Sequence, residues 1–369
     1  MKLRHRITGA GRRALSILLG TALALIVLEV LLRLVPFGWP LDLDNYVHSC
    51  YEADRVASSI WFFSERPQVR LHKPHFETRC QFNHRGWWHR SDQLGNRNPE
   101  DWERADVLLL GDSMVYGHGV EEPETFANRL RAETGRRVVN AGQTDSSAVE
   151  YLAKVQSFLP LLHPKVVVIF LYRNDLGDIR RARTSDQVRA LIEHGVAPEA
   201  RTYTPAELFE KANPGLGVGG FLLERSQVAR VVRYCWLRIT HRRTGELRDR
   251  RRYVNSSDAD ALAYQRAALQ KMLESARATG SKLVLGYMPT SAIPDSAVEQ
   301  RARRVRTETQ ALAERFGLPF FDPSPALVRA DGHSDPSAFL DGDWHLNAEG
   351  ELWLAHALAE FLRQKGALD

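Results

Sequence analysis

The apolar residues of this chain fall into short solid runs separated by stretches of helical spacing. Val107 to Leu110, Val138 to Val139, Val166 to Leu171, Lys282 to Tyr287 and Leu318 to Asp322 form the runs. Short aliphatic segments bounded by Asp, Gly or Asn are what strands buried on both faces look like. Between them, Phe126 and Leu130 stand four apart ahead of Gly135, a helix with a C-cap signal. Leu262, Leu269 and Leu273 share one side of a helix predicted over Asp258 to Ala278, and a second is predicted around Arg225 to Ile239. Leu352, Leu354, Ala355, Leu358 and Leu362 make a stripe over Ala348 to Gln364, with Asn347 placed to cap it. Strands alternating with helices predict an α/β architecture, a parallel sheet covered on both faces.

Three stretches stand outside that alternation. Ala14 to Val35 is apolar for about 33 Å of helix, enough to cross a bilayer. Its two charges, Glu29 and Arg33, are four apart and able to pair. Lys2, Arg4, Arg6, Arg12 and Arg13 precede it, no small-residue cleavage site follows it, and the expectation is an uncleaved anchor with the rest of the chain facing outward. In a bacterium that is the inner membrane with the catalytic part in the periplasm or at the cell exterior. Trp39 to Arg104 is rich in Trp, Phe and His, including His72, His75, His84, Trp87 and Trp88, with little period; its irregularly spaced histidines read as satisfied or solvated side chains. The third stretch interrupts the alternation before Gly280 and contains the Gly-rich run Gly215 to Gly220, read as a linker, in what is expected to be a lid or substrate platform. The expected organisation is a basic tail at 1–13, an anchor at 14–35, a juxtamembrane extension at 36–104, and a main domain at 105–369 with a helical insertion at about 179–280.

With 44% hydrophobic and 26% charged residues, the part beyond the anchor is suited to one large core. The net charge of +5 owes much to the tail and to an arginine-rich stretch, Arg242 to Arg252; no aromatic-interleaved basic signature points to nucleic acid. Cys50 and Cys80 are candidates for a disulfide in an oxidising compartment, with free thiols the alternative, and Cys235 reads as a small core residue on a helix. No ligand-spaced Cys or His cluster calls for a metal, and no cofactor is expected.

The candidate chemistry sits at two ends of this frame. GDSMVYG, from Gly111 to Gly117, follows the first strand, and DGDWHLN, from Asp341 to Asn347, precedes the last helix. Acyl transfer at a serine needs a nucleophile, a histidine to take its proton, a carboxylate to orient that histidine, and donors aimed at the oxyanion. Ser113, Gly142 after VVNA, and Asn174 after VVVIFLYR each stand at a strand end, and His345 lies in the last loop. On these blocks the chain resembles the SGNH, or GDSL-like, hydrolase family, in its membrane-anchored branch with an Asp-x-His final block. The resemblance implies a three-layer α/β/α sandwich with a parallel, flavodoxin-like sheet, with Ser113 as nucleophile and His345 as base. It also implies an oxyanion hole of the Ser113 and Gly142 N–H groups and the Asn174 side chain. The usual acid position, three before the histidine, is Gly342, which leaves Asp343 as the favoured acid and Asp341 as the alternative.

The expected function is a serine esterase or acyl hydrolase acting through an acyl-enzyme on a small ester, such as an O-acetyl group of an envelope glycan. An O-acetyltransferase with the same triad is the alternative; it would need a membrane partner delivering the acyl donor, and Trp87 and Trp88 are its candidate acceptor groove. A non-catalytic envelope assembly or glycan-binding subunit is the third.

Overall fold

The computed structural model describes residues 9–34, 38–48, 61–63, 70–195, 222, 226–244, 256–291, 296–329 and 331–368. The Gly-rich run, the cluster Arg248 to Arg252 and Cys50 lie outside these. Cys80 is buried and disulfide-bonded; the partner expected for it, Cys50, is among the residues not described.

The chain divides into two compact units, Met1–Ser59 with Phe82–His84 and Gly215–Leu247, and Ile60–Gln81 with Arg85–Pro214 and Arg248–Asp369. In the first are helices α1 (Gly9–Leu34), α2 (Leu41–His48) and, later in the chain, α8 (Gln227–Thr244). Residues Gly11–Leu34 of α1 are long and apolar enough to cross a membrane. α8 packs on α2 through Val231, Tyr234 and Leu237 against Leu43, Tyr46 and Val47. Cys235 lies on the other side of α8 and is exposed. The sequence reading of it as a core residue is corrected: the apolar pattern around it contains two stripes, and only one is buried.

The second unit opens with two antiparallel pairs, β1 (Trp61–Phe63) with β2 (Arg70–His72), and β3 (Glu77–Phe82) with β4 (Arg85–Arg90). The main sheet has β5 (Val107–Leu110), β6 (Val138–Asn140), β7 (Val166–Leu171), β8 (Lys282–Tyr287) and β9 (Phe320–Phe321). All five are parallel in the order β6-β5-β7-β8-β9. The covering helices are α4 (Phe126–Thr134), α5 (Ala148–Leu162), α6 (Asp175–Ala182), α7 (Ser185–His194), α9 (Asp258–Thr279), α10 (Ala297–Phe316) and α12 (Ala348–Gln364), with short turns α3 (Ser113–Tyr116) and α11 (Ser324–Leu327).

Strand side chains alternate between two cores, as a period of two requires. Leu108, Leu110, Val167 and Ile169 face α5 and α9, whereas Val107, Leu109, Val166, Val168 and Phe170 face α4 and α12. Because every strand is covered on both sides, each reads in the sequence as a solid apolar run. Gly135 ends α4 in the left-handed conformation, and Asn347 caps α12 by accepting from Glu349 N and Gly350 N at 3.0 Å.

The expected insertion is redrawn. α9, which the sequence places inside it, lies in the sheet core: Ala261, Tyr264, Ala268, Leu269, Met272 and Ala276 are buried against α5 and β8. It is the crossover helix between β7 and β8, as a right-handed parallel connection needs. Only Gly215–Leu247 leaves the core unit, and much of the extension, Ile60–Gln81 and Arg85–Arg104, belongs to it.

Candidate active site

Ser113 follows β5, Gly142 follows β6 and Asn174 follows β7, so three adjacent parallel strands deliver them to one carboxyl edge, where open α/β sheets place chemistry. The turn into α3 is tight. A Cβ on Gly111 would lie 2.2 Å from Val115 Cγ2, and Asp112 caps α3 by accepting from Met114 N at 3.0 Å. Burial, opposed by that bond and reinforced by the charges of Asp178 and Asp145, raises the Asp112 carboxyl to about 7.

Across from this turn, Phe339 and Leu346 form an antiparallel bridge, and Leu340 N donates to His345 O at 2.9 Å. The loop between them puts Gly342 in the left-handed region, φ 69°, which a side chain resists. The carboxylate that meets the histidine then falls one residue later. Asp343 is buried and its Oδ1 lies 2.7 Å from His345 Nδ1, while also accepting from Trp344 N at 2.6 Å. Asp341 is exposed on the outside of the turn. Burial would raise the Asp343 carboxyl, but the hydrogen bond and charge of His345 hold it far below its ordinary value. His345 Nε2 lies 2.8 Å from Ser113 Oγ. With Nδ1–H donating to the carboxylate, Nε2 is the nitrogen left to accept the serine hydroxyl.

One N–H expected to serve an oxyanion is engaged within the protein. Gly142 N donates to Asn140 Oδ1 at 2.9 Å, so in this structure its N–H is directed into the protein. What requires glycine there is packing: a Cβ would sit 2.4 Å from Tyr116 N and 2.5 Å from Val115 C, inside α3, the helix that begins at Ser113. Asn174 donates one amide hydrogen to Asp178 Oδ2 at 2.7 Å, and a carboxamide has a second to offer.

Several residues that shape this site come from the extension at 36–104, expected to wrap the domain or to shape one side of the cleft, and they are joined by His118, which was not expected. The ring of His118 stacks on His345 at 4.1 Å between centroids and 22° between planes, with Trp87 on its flank at 4.7 Å. Behind them, His89 Nδ1 and Trp87 Nε1 meet the Tyr116 hydroxyl at 2.8 and 3.3 Å, and His72 packs edge-on against His89 and Tyr116. Of the extension's histidines, His72 and His89 lie in a buried stack reaching the site, whereas His75 and His84 are exposed; burial lowers His72, His89 and His118 well below the usual imidazole value. Trp87 is fully buried, so the groove expected of Trp87 and Trp88 is corrected; Trp88 is exposed, as is Trp344 beside His345, with Arg173 over its ring at 5.0 Å. Arg97, also buried, donates to the Gly117 and Val120 carbonyls at 2.6 and 2.8 Å, fixing the chain that carries His118. The one signal available was Gly-His-Gly: Gly117 and Gly119 have φ of 80° and 85°.

His118, Asp343 and His345 bring ligand atoms within 4.8 Å of one another. A metal there would have to withdraw His345 from Ser113, so the set is better matched to proton transfer than to ligation.

Replacing His118 by alanine is expected to lower kcat about five- to tenfold, the rate equivalent of losing roughly 1 kcal/mol of ring stacking. His118→Phe retains a flat ring and should recover most of the loss, with a thermal melt recorded for both. Equal losses in the two variants would show that the ring face is not what matters.

Residues 109–352, more than half of the chain, match the model of the GDSL-like lipase/acylhydrolase family. No curated protein matches the sequence. Among solved structures, the chain is similar to a GDSL-like lipase from Bacteroides thetaiotaomicron, at 14% identity and a TM-score of 0.40 over 71% of this chain and 89% of that one. It is also similar to a carbohydrate acetylesterase from Sinorhizobium meliloti, at 14% identity and 0.39 over 71% and 100%. An acetylxylan esterase from Geobacillus stearothermophilus follows at 12% and 0.39 over 72% and 95%. The strand-end serine, the histidine facing it and the matched span agree: the chain belongs to the GDSL-like lipase/acylhydrolase family.

Proposed function

We propose that this serine hydrolase is an esterase for small acyl groups, with O-acetyl esters of envelope glycans as its substrates, held at the outer face of a bacterial inner membrane by α1. The observation that carries the reading is the unbroken line from Ser113 through His345 to Asp343, at 2.8 and 2.7 Å. Ser113 Oγ attacks the acyl carbon while His345 Nε2 takes its proton, and Asp343 stabilises the imidazolium. The oxyanion meets the Ser113 N–H and the second amide hydrogen of Asn174; Gly142 joins only if Asn140 releases it. His345 then protonates the leaving alcohol, and water repeats the attack on the acyl-enzyme.

Support for a sugar ester comes from Trp344, partly exposed beside His345 with Arg173 over one face of its ring, an aromatic and donor pair suited to a pyranose ring and its hydroxyls. The basic residues ahead of α1 and the absence of a small-residue cleavage site support the anchored, outward orientation.

The test uses the full-length protein in detergent micelles with p-nitrophenyl esters of increasing chain length and with acetylated oligosaccharides. Acetyl esters are expected to turn over fastest, and acetate to be released from the sugars. Long-chain esters cleaved in preference, with the sugars untouched, would overturn the substrate reading. Acetylated acceptor appearing faster than free acetate would turn the assignment to a transferase fed by a membrane partner.

A further inference from the structure

α8 has a second apolar stripe. Val232, Cys235, Trp236 and Ile239 recur at i, i+3, i+4 and i+7, on the side away from α2, and Val232, Trp236 and Ile239 are 62%, 59% and 61% exposed. A contiguous apolar patch of this kind on a protein marks a surface that something covers. Arg233 and Arg238 flank the stripe, and Arg242 and Arg243 follow it in the sequence.

Within the same unit, α8 is tied to the candidate anchor. Glu29 of α1 accepts from Ser226 Oγ at 2.9 Å, Gln227 N at 3.0 Å and Val228 N at 3.1 Å, so a carboxylate of α1 caps the N-terminus of α8. Arg33 pairs with the same carboxylate at 2.8 Å. Glu29 lies sixteen positions beyond Arg13, about 24 Å along a helix. With Arg13 at one headgroup layer, that rise brings Glu29 near the far edge of a hydrocarbon layer about 30 Å thick. On that reading the helix that Glu29 caps begins about 6 Å, roughly one helical turn, short of the outer edge of the hydrocarbon layer.

We infer that α8 is an interfacial helix, lying in the outer headgroup layer with Val232, Cys235, Trp236 and Ile239 toward the acyl chains and its arginines toward anionic lipid phosphates. This rests on reading α1 as a membrane anchor. Trp at an interface, apolar residues on one stripe and arginines beside it are the composition such helices have. A lipid surface also fits the packing of α8 against α1, most of whose own apolar side chains are exposed.

Cys235 sits inside the stripe as a free thiol and serves as the reporter. The full-length protein is reconstituted in vesicles of phosphatidylethanolamine and phosphatidylglycerol, and Cys235 is labelled with a nitrobenzoxadiazole probe. A second preparation, L23C with C235S, places the probe in α1. The Cys235 probe is expected to be quenched several-fold more by a lipid spin-labelled near the headgroup than by aqueous iodide, and the Leu23 probe by a lipid labelled deep in the chain. If the Leu23 probe responds to the deep lipid while the Cys235 probe responds to iodide alone, α8 is in water and the inference fails with the anchor intact. If neither probe responds to lipid, the anchor reading falls and the interfacial helix with it.

Discussion

Ester hydrolysis by Ser113→Ala is expected to fall by several orders of magnitude while the thermal melt of the protein hardly moves. The rate follows from the site: with Oγ gone, no atom remains for the acyl group to be transferred to, and loss of one member of a cooperating set removes nearly all of its effect. The unchanged stability follows from how little the hydroxyl does for the fold. It is half-buried, its bond is to His345 Nε2, and α3 is held by the Asp112 cap and by Met114, Val115 and Tyr116, all buried. Losing one such hydrogen bond is worth about 1 kcal/mol. Initial rates with p-nitrophenyl acetate and a melt on the same preparation decide it. A variant that keeps a tenth of the activity would remove Ser113 from the mechanism.

Asp343→Asn is expected to lower kcat by about four orders of magnitude, the scale seen where the orienting acid of a serine triad is neutralised. The carboxylate accepts the Nδ1 proton and so leaves Nε2 bare toward Ser113; an amide nitrogen in its place would donate to Nδ1 and move the ring proton to Nε2, where it blocks the serine. Asp341→Asn, on the exposed side of the turn, should leave kcat within about twofold, since surface changes distant from the reacting atoms rarely matter. Steady-state kinetics of the two variants side by side are the measurement, and a larger loss at Asp341 would mean that the loop folds differently. The pH dependence has a definite sign. Because the folded Asp343 carboxyl is held below its unfolded value, its pairing stabilises the fold above about pH 4 and is lost only as pH falls further through the folded value, so the acid limb of activity near neutrality does not belong to it.

Much of this was readable from the residues because burial on both faces writes strands as solid apolar runs, and each of the five expected strands is present. The caps at Gly135 and Asn347 were equally legible, since their chemistry is local. The pieces that escaped depend on contacts distant in the chain. α9 looked like part of an excursion because the segment ahead of it is long, and only its packing on α5 shows that it is core. The hairpin of β3 and β4 turns on Asn83 and His84, both at positive φ, a turn without the glycine that would have announced it. His118 touches His345 across more than two hundred residues, and nothing in Gly-His-Gly names its partner. Gly142 was noticed for the right reason, the space a missing side chain leaves, but that space is taken by the helix behind the serine.

The stack running from His72 through His89, Tyr116, Trp87 and His118 to His345 also bears on where the catalytic unit starts. Family likeness begins at residue 109 and includes His118, the ring on which His345 rests, yet Trp87, His89 and His72, which back His118 and Tyr116, come from the antiparallel strands upstream of it. In engineering terms, a fragment cut at the family boundary keeps Ser113, His345, Asp343 and His118 but loses the layer that holds His118 in place, so a faithful minimal enzyme begins before Arg70. For the same reason, substitutions at Trp87 or His89 would act on His345 through His118 without altering any residue of the matched span.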